Sequence, residues 1–87
     1  MKIQIKKFGT ILTSRPAGKD AALAMRSFII LKSQEKIELD FSGVFSVGPS
    51  WLDEVLTFLR DEYGADRVVC LPSRNASLIE SLKVIGK

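Results

Sequence analysis

Apolar and polar residues alternate in two short stretches of the chain, which predicts two strands that each have one buried face. In Lys2–Lys6 the isoleucines alternate with polar side chains, and in Lys36–Phe41 the apolar residues again occupy every second position. Such strands place one face on the core and the other in solvent. Helices are therefore expected mainly on one face of the sheet, in a two-layer α/β domain.

Two further strands are predicted from shorter signals. Thr10–Thr13 follows the break at Gly9, and we expect it to form a hairpin with the first strand. Arg67–Leu71 is apolar without alternation, which is typical of a strand at the centre of a sheet. The prediction is a mixed sheet of three to four strands, parallel wherever a helix connects two of them.

Three helices are predicted from residues that recur at helical spacing. The first spans roughly Lys19–Ser33, the second Ser50–Tyr63, and the third starts at Asn75 and ends at Gly86. The first is apolar over much of its circumference, which leaves open either deep burial or coverage by a partner. Ser42–Pro49 is predicted to be a loop. Residues 1–87 form one domain in this interpretation, because the chain is too short for two.

Composition removes several classes of function. The chain has no histidine and one cysteine, so neither a disulfide nor a zinc site is predicted, and no cofactor is expected. We interpret Cys70 as a small buried hydrophobe. The absence of histidine and of a convergent triad also argues against an enzyme. The net charge of +3 is scattered apart from Lys2, Lys6 and Lys7, which does not indicate a nucleic-acid interface.

Neither a membrane segment nor a signal peptide is predicted. The longest apolar stretch, Ala21–Leu31, contains Arg26 and is too short to cross a bilayer. The first eight residues alternate with charges and lack an apolar core. We therefore expect a cytoplasmic protein.

The most informative segment is Leu39–Leu52, which is predicted to form a strand end, a loop and a helix start. Ser50 precedes Asp53 by three residues, as in a carboxylate variant of the capping box, so a helix N-cap at Ser50 is favoured. Asp40 ends the strand, and its carboxylate is expected to brace the loop by accepting backbone N–H groups.

This segment resembles the core motif of STAS domains, which reads D-L-S-x-V-x-F-I-D-S-S-G-L in outline. Aligned without a gap, the matching or similar positions are Asp40, Ser42, Val44, Val47, Ser50 and Leu52. The chain is closer still to a bacterial family of STAS-like domains of unknown function, in which a similar L-D-F-x-G-V segment precedes an S-F-x-D-E helix start. Phe8-Gly9, Ser14-Arg15 and Tyr63-Gly64 also fit that family.

The resemblance implies a regulatory protein–protein interaction module like the anti-sigma factor antagonists. In those domains a partner kinase of the GHKL ATPase type phosphorylates the second serine of the motif, which corresponds by position to Ser50. A phosphate at a helix N-terminus meets free N–H groups and changes the charge of a docking surface. This sequence departs from the motif at Gly48, Pro49 and Trp51, which replace an aspartate, a serine and a glycine.

Residues 40–58 are thus the predicted docking segment, with Ser50 as N-cap or phosphoacceptor. The candidate contacts with a partner are Asp40, Ser42, Gly48, Trp51, Glu54 and Phe58. Trp51 and Phe58 share a helix face with Val55 and form either a binding patch or part of the core.

An alternative function is a nucleotide- or anion-binding module. It would use the helix N-termini near Arg15, Lys19 and Ser50. The oligomeric state is open, and a homodimer would hide the apolar first helix.

Overall fold

The computed structural model describes residues 1–86 of the chain, as an α/β fold. Its strands and α-helices, in chain order, are β1 (Lys2–Gln4), β2 (Ile11–Leu12), α1 (Arg15–Arg26), β3 (Ile37–Asp40), β4 (Ser46–Val47), α2 (Pro49–Tyr63), β5 (Val68–Cys70) and α3 (Ala76–Ile85). Short 3-10 helices follow β1, at Ile5–Phe8, and α2, at Ala65–Arg67.

The main sheet has three parallel strands in the order β1-β3-β5. Ile37 and Leu39 of β3 are buried, whereas Glu38 and Asp40 on the other face are partly exposed. One face of the sheet therefore carries the core and the other meets solvent, which confirms the two-layer prediction. The central strand is β3, so the prediction that β5 lies at the centre was wrong. Every strand pairing among the described residues is parallel, so the sheet is not mixed.

A second, two-stranded sheet pairs β2 with β4, Ile11 lying opposite Ser46. The predicted N-terminal hairpin was therefore wrong, and so was the prediction that Ser42–Pro49 is only a loop. After β1 the chain enters a 3-10 helix, and Gly9 then adopts a φ of 132°, a conformation that favours glycine. This redirection carries the chain away from β1 into the other sheet.

Helix α1 begins and ends earlier than its apolar pattern predicted. Ser14 is its N-cap and accepts a hydrogen bond from the N–H of Ala17 at 3.2 Å, and proline lies in the first turn. The apolar run at 28–31 continues beyond the end of the helix. The predicted helix included this run, and for that reason it was apolar over much of its circumference. Its actual buried residues lie on one side, namely Gly18, Ala21, Ala22 and Met25.

Helix α2 supplies the centre of the core. Its buried residues are Trp51, Leu52, Val55, Leu56 and Leu59, each exposed by 1% or less. Helix α1 packs closely against it at Gly18, where an added Cβ would lie 2.7 Å from the carbonyl oxygen of Trp51. No helix within residues 1–86 has the length and apolar character needed to cross a membrane.

Helix α3 follows its prediction at both ends. Asn75 is the N-cap, accepting hydrogen bonds from the N–H groups of Ser77 and Leu78, and Gly86 ends the helix in the left-handed conformation.

Candidate functional site

The loop after β3 begins with a turn held by Asp40. Its Oδ1 accepts a hydrogen bond from the N–H of Ser42 at 2.9 Å, so the predicted bracing role is confirmed. This bond lowers the pKa of the Asp40 carboxyl, and the positive charges of Lys2 and Lys6 act in the same direction. Ser42 itself is exposed at the surface of the turn.

The same loop presents an aromatic side chain that the sequence interpretation missed. Val44 is buried, whereas Phe45 directly after it is 79% exposed. The N–H groups of Phe45 and Ser46 both donate to the carbonyl oxygen of Thr10, at 2.9 and 3.0 Å. Ile11 follows Thr10 and is 68% exposed. We call Phe45 and Ile11 the apolar edge. In an extended segment adjacent side chains point to opposite sides. The adjacent apolar pair Val44-Phe45 therefore indicated that one of the two side chains is exposed.

Asn75 fixes the Phe45 loop against the start of α3. Its Nδ2 donates to the carbonyl oxygens of Val44, at 2.9 Å, and Phe45, at 3.4 Å. The same side chain caps the helix through its Oδ1. The side-chain amide of Asn75 therefore links the loop to the helix. The sequence predicted only the role of Asn75 at the start of the helix.

Helix α2 begins at Pro49 with Gly48 as N-cap, so the predicted N-cap and capping box at Ser50 were wrong. Proline needs no N–H partner and has a helical φ, which suits the first helical position, so the N-cap lies two residues before the predicted one. Gly48 donates its N–H to the carbonyl oxygen of Leu12 at 2.7 Å. Ser50 lies in the first turn, partly exposed, and its hydroxyl forms no hydrogen bond with residues 1–86.

Arg15, a candidate anion-binding residue, is held by carboxylates of α2. Its Nη1 lies 3.0 Å from Glu54 Oε2 and 3.2 Å from Asp53 Oδ2. An incoming anion would compete with both carboxylates, which does not favour the anion-binding alternative. Lys19 lies one turn along α1 and is exposed. Glu54, predicted as a partner contact, is thus part of a contact between the two helices.

Trp51 and Val55 are buried, so they belong to the core, which was one of the two alternatives that the sequence left open. The helix start aims the indole ring at the core, which leaves it unable to anchor a partner in this structure. Phe58 is partly buried, and the guanidinium of Arg26 lies 5.5 Å from the centre of its ring. Of the two aromatic candidates, only Phe58 retains an accessible edge.

Within residues 1–86, no group of three or more cysteine, aspartate or glutamate side chains is arranged to hold a metal ion. Cys70 packs against the core, and burial raises the pKa of its thiol. Predominantly protonated at neutral pH, it is a poor nucleophile.

Comparison with known proteins gives one match. Neither the curated proteins nor the solved structures contain a significant match to this chain. Residues 27–71, just over half of the chain, match the model of a family described as a STAS-like domain of unknown function (DUF4325). The matched stretch runs from the end of α1 through β3, the Phe45 loop and α2 to the residue after β5. The chain therefore belongs to the family of STAS-like domains of unknown function.

Proposed function

We propose that this domain is a non-catalytic regulatory module that docks a protein partner through residues 40–58, with Phe45 as the central contact. The observation that carries the proposal is the 79% exposure of a phenylalanine in the loop between β3 and β4. Aromatic side chains are enriched in protein interfaces, where they supply a large apolar area at a small entropic cost.

The loop that carries Phe45 is held on both sides. The N–H of Phe45 donates to Thr10, and its carbonyl oxygen accepts from Asn75. A backbone fixed before binding loses little conformational freedom when the partner arrives. Ile11 lies on the neighbouring strand and extends the apolar surface. This arrangement supports docking by the apolar edge in place of Trp51.

The resemblance to anti-sigma factor antagonists suggests the class of partner, a GHKL-type ATPase that also acts as a kinase. Ser50 is the phosphoacceptor in this proposal. Its hydroxyl is not engaged by residues 1–86, and it lies in the first turn of α2, where the helix dipole favours a negative charge.

Arg15 gives a phosphate on Ser50 a way to act on the structure. Residues one turn apart on a helix are neighbours, so a phosphate on Ser50 would lie close to Glu54. The phosphate would repel the carboxylates of Asp53 and Glu54 and compete with them for Arg15, which now bridges to both. Phosphorylation would therefore redistribute the contact between α1 and α2 beside the docking segment.

The test is binding to a purified GHKL-type ATPase from the same host, measured by isothermal titration calorimetry. Phe45→Ser is expected to weaken binding at least about tenfold, as for a truncated aromatic hot spot. Val84→Ser removes an apolar residue of similar exposure on α3 and is expected to have no effect. Equal affinity for both variants, or no binding by the unmodified domain, would reject the docking role.

Phosphorylation is tested separately by incubation with the same ATPase and ATP, followed by intact-mass measurement. The expected result is one added phosphate on the unmodified chain and none on Ser50→Ala. A phosphate that persists on Ser50→Ala would place the modification elsewhere. Binding without any added phosphate would keep the docking role and reject the proposal that phosphorylation switches it.

A further inference from the structure

Strand β1 is an edge of the main sheet, and its outer side is open. The N–H of Glu38 donates to the carbonyl oxygen of Met1 at 2.8 Å, which fixes the direction of the alternating main-chain groups. The N–H and carbonyl of Lys2 and the N–H of Gln4 therefore point away from β3. Nothing within residues 1–86 pairs with these groups. An open strand edge of this kind can accept another strand.

A groove of ≈580 Å³ lies alongside this edge. It is lined by Lys2, Ile3, Gln4, Lys7, Phe8 and Phe28, and we call it the edge groove. Its lining combines two aromatic side chains with two lysines and contains no acidic side chain. Phe28 is 45% exposed, so part of its ring is available to a ligand.

Neither lysine of the edge groove is held in a close ion pair within residues 1–86. Lys7 is exposed and forms no ion pair with residues 1–86. Lys2 is more than half exposed and only reaches Asp40 at 4.0 Å, a contact worth little at a surface. The groove therefore favours a ligand that brings negative charge and an extended main chain together.

We infer that the edge groove binds an extended acidic segment of another protein by adding it as a strand to β1. The main chain of the segment would bond to Lys2 and Gln4, and its carboxylates would lie near Lys2 and Lys7. An apolar side chain between the carboxylates would pack against Phe8 and Phe28. Main-chain bonds supply affinity in this mode of recognition, while the lining side chains supply selectivity. This site belongs to the main sheet and does not depend on the apolar edge of the second sheet.

The first probe is a fluorescein-labelled peptide of alternating glutamate and valine, titrated with the domain and followed by fluorescence anisotropy. A peptide that alternates lysine and valine is the control of opposite charge. The acidic peptide is expected to bind, and the basic one is not. Equal binding of the two peptides, or no binding at millimolar concentration, would overturn the inference.

The second test removes one outward N–H from the strand. Gln4 has a φ of −82°, close to the value that proline requires, and its N–H does not point to β3. Gln4→Pro should therefore keep the fold and weaken the acidic peptide roughly three- to tenfold, as for one lost hydrogen bond. Gln4→Ala keeps the N–H and should bind normally. Equal affinities for two variants that circular dichroism shows to be folded would reject strand addition.

The charge contribution and the location are tested together. Lys7→Glu should weaken binding, whereas Lys83→Glu on α3 makes the same charge change away from the groove and should not. In ¹⁵N-¹H spectra of the unmodified domain, the acidic peptide should shift the amides of Lys2, Gln4 and Phe28. Shifts confined to the Phe45 loop would show that the peptide binds the apolar edge instead and would overturn the assignment.

Discussion

The hydroxyl of Ser81 donates a hydrogen bond to the carbonyl oxygen of Val47 over 2.9 Å in the interior of the domain. One turn earlier on α3, the hydroxyl of Ser77 accepts the N–H of the same valine at 3.0 Å. Val47 lies in β4, and these are its main-chain groups on the side away from β2. Two serines on one helix face therefore satisfy a strand edge that has no strand beside it.

The first prediction is that Ser81→Ala destabilises the domain. Ser81 is buried, and its loss leaves the carbonyl oxygen of Val47 without a partner in an apolar surrounding. The expected cost is about 1–3 kcal/mol in the free energy of unfolding, measured by urea denaturation. Ser33→Ala, at an exposed position, is the control and should be neutral. A cost for Ser81→Ala as small as that of the control would show that water replaces the hydroxyl.

The second prediction concerns the contact of α1 with α2. Alanine favours a helix interior over glycine, so Gly18→Ala would stabilise α1 if there were space. The added Cβ would instead lie 2.7 Å from the carbonyl oxygen of Trp51, which is rigid backbone. We expect Gly18→Ala to lower the melting temperature and to cost about 1–3 kcal/mol, as overpacking does.

Gly48→Ala is the matched control for that substitution. Its φ is −102° and the closest contact of an added Cβ is 3.5 Å, so no steric cost is expected. Gly48 is the N-cap of α2, where alanine is less favourable than glycine, so the loss should stay below about 1 kcal/mol and below that of Gly18→Ala. A stabilised Gly18→Ala variant would mean that the two helices can move apart without loss.

The third prediction is a pH dependence that originates at Asp40. The N–H of Ser42 holds the pKa of this carboxyl below its ordinary value in the folded chain. A depressed folded pKa contributes stability above the unfolded pKa and loses it as the pH falls through the folded pKa. The stability difference between the unmodified chain and Asp40→Asn should therefore shrink from about pH 5 downwards.

NMR titration of the Asp40 side-chain carboxyl provides the direct measurement. Its midpoint is expected below the range of unperturbed aspartates, about 3.9. A midpoint at or above that value would show that the turn bond is absent in solution. Ser42→Pro removes the donor N–H and should return the midpoint toward the unperturbed value.

The fourth prediction separates binding from folding at Phe45. Because its side chain is mostly exposed, Phe45→Ser should change the free energy of unfolding by no more than about 0.5 kcal/mol. Phe41→Ser, at a buried position in the same segment, should be strongly destabilising. Comparable losses of stability for both would mean that the Phe45 ring packs against the domain in solution.

The sequence predicts those features that depend on neighbouring residues. Alternation placed Ile37 and Leu39 in a strand with one buried face, and Asn75 and Gly86 marked the ends of α3. Asp40 at the predicted end of the strand indicated that its carboxylate braces the following loop. Each of these is determined within a few residues along the chain, so local physical chemistry is sufficient.

The features that failed depend on contacts between distant parts of the chain. The partner of β2 lies beyond α1 and β3, and two residues per strand give no alternation to detect. Trp51 and Phe45 are both large aromatic residues in the same segment, and packing against distant parts of the chain decides that Trp51 is buried and Phe45 is exposed.

The parallel pairing of the strands within residues 1–86 has a consequence for how the chain folds. Lys2 pairs with Glu38 and Ile11 with Ser46, so each strand of the N-terminal region meets a partner only after α1 has been made. No hairpin exists within residues 1–86 on which a sheet could begin locally. Folding rates fall as native contacts join more distant segments. During synthesis, β1 and β2 therefore remain unpaired until β3 and β4, their partners, have also been synthesised.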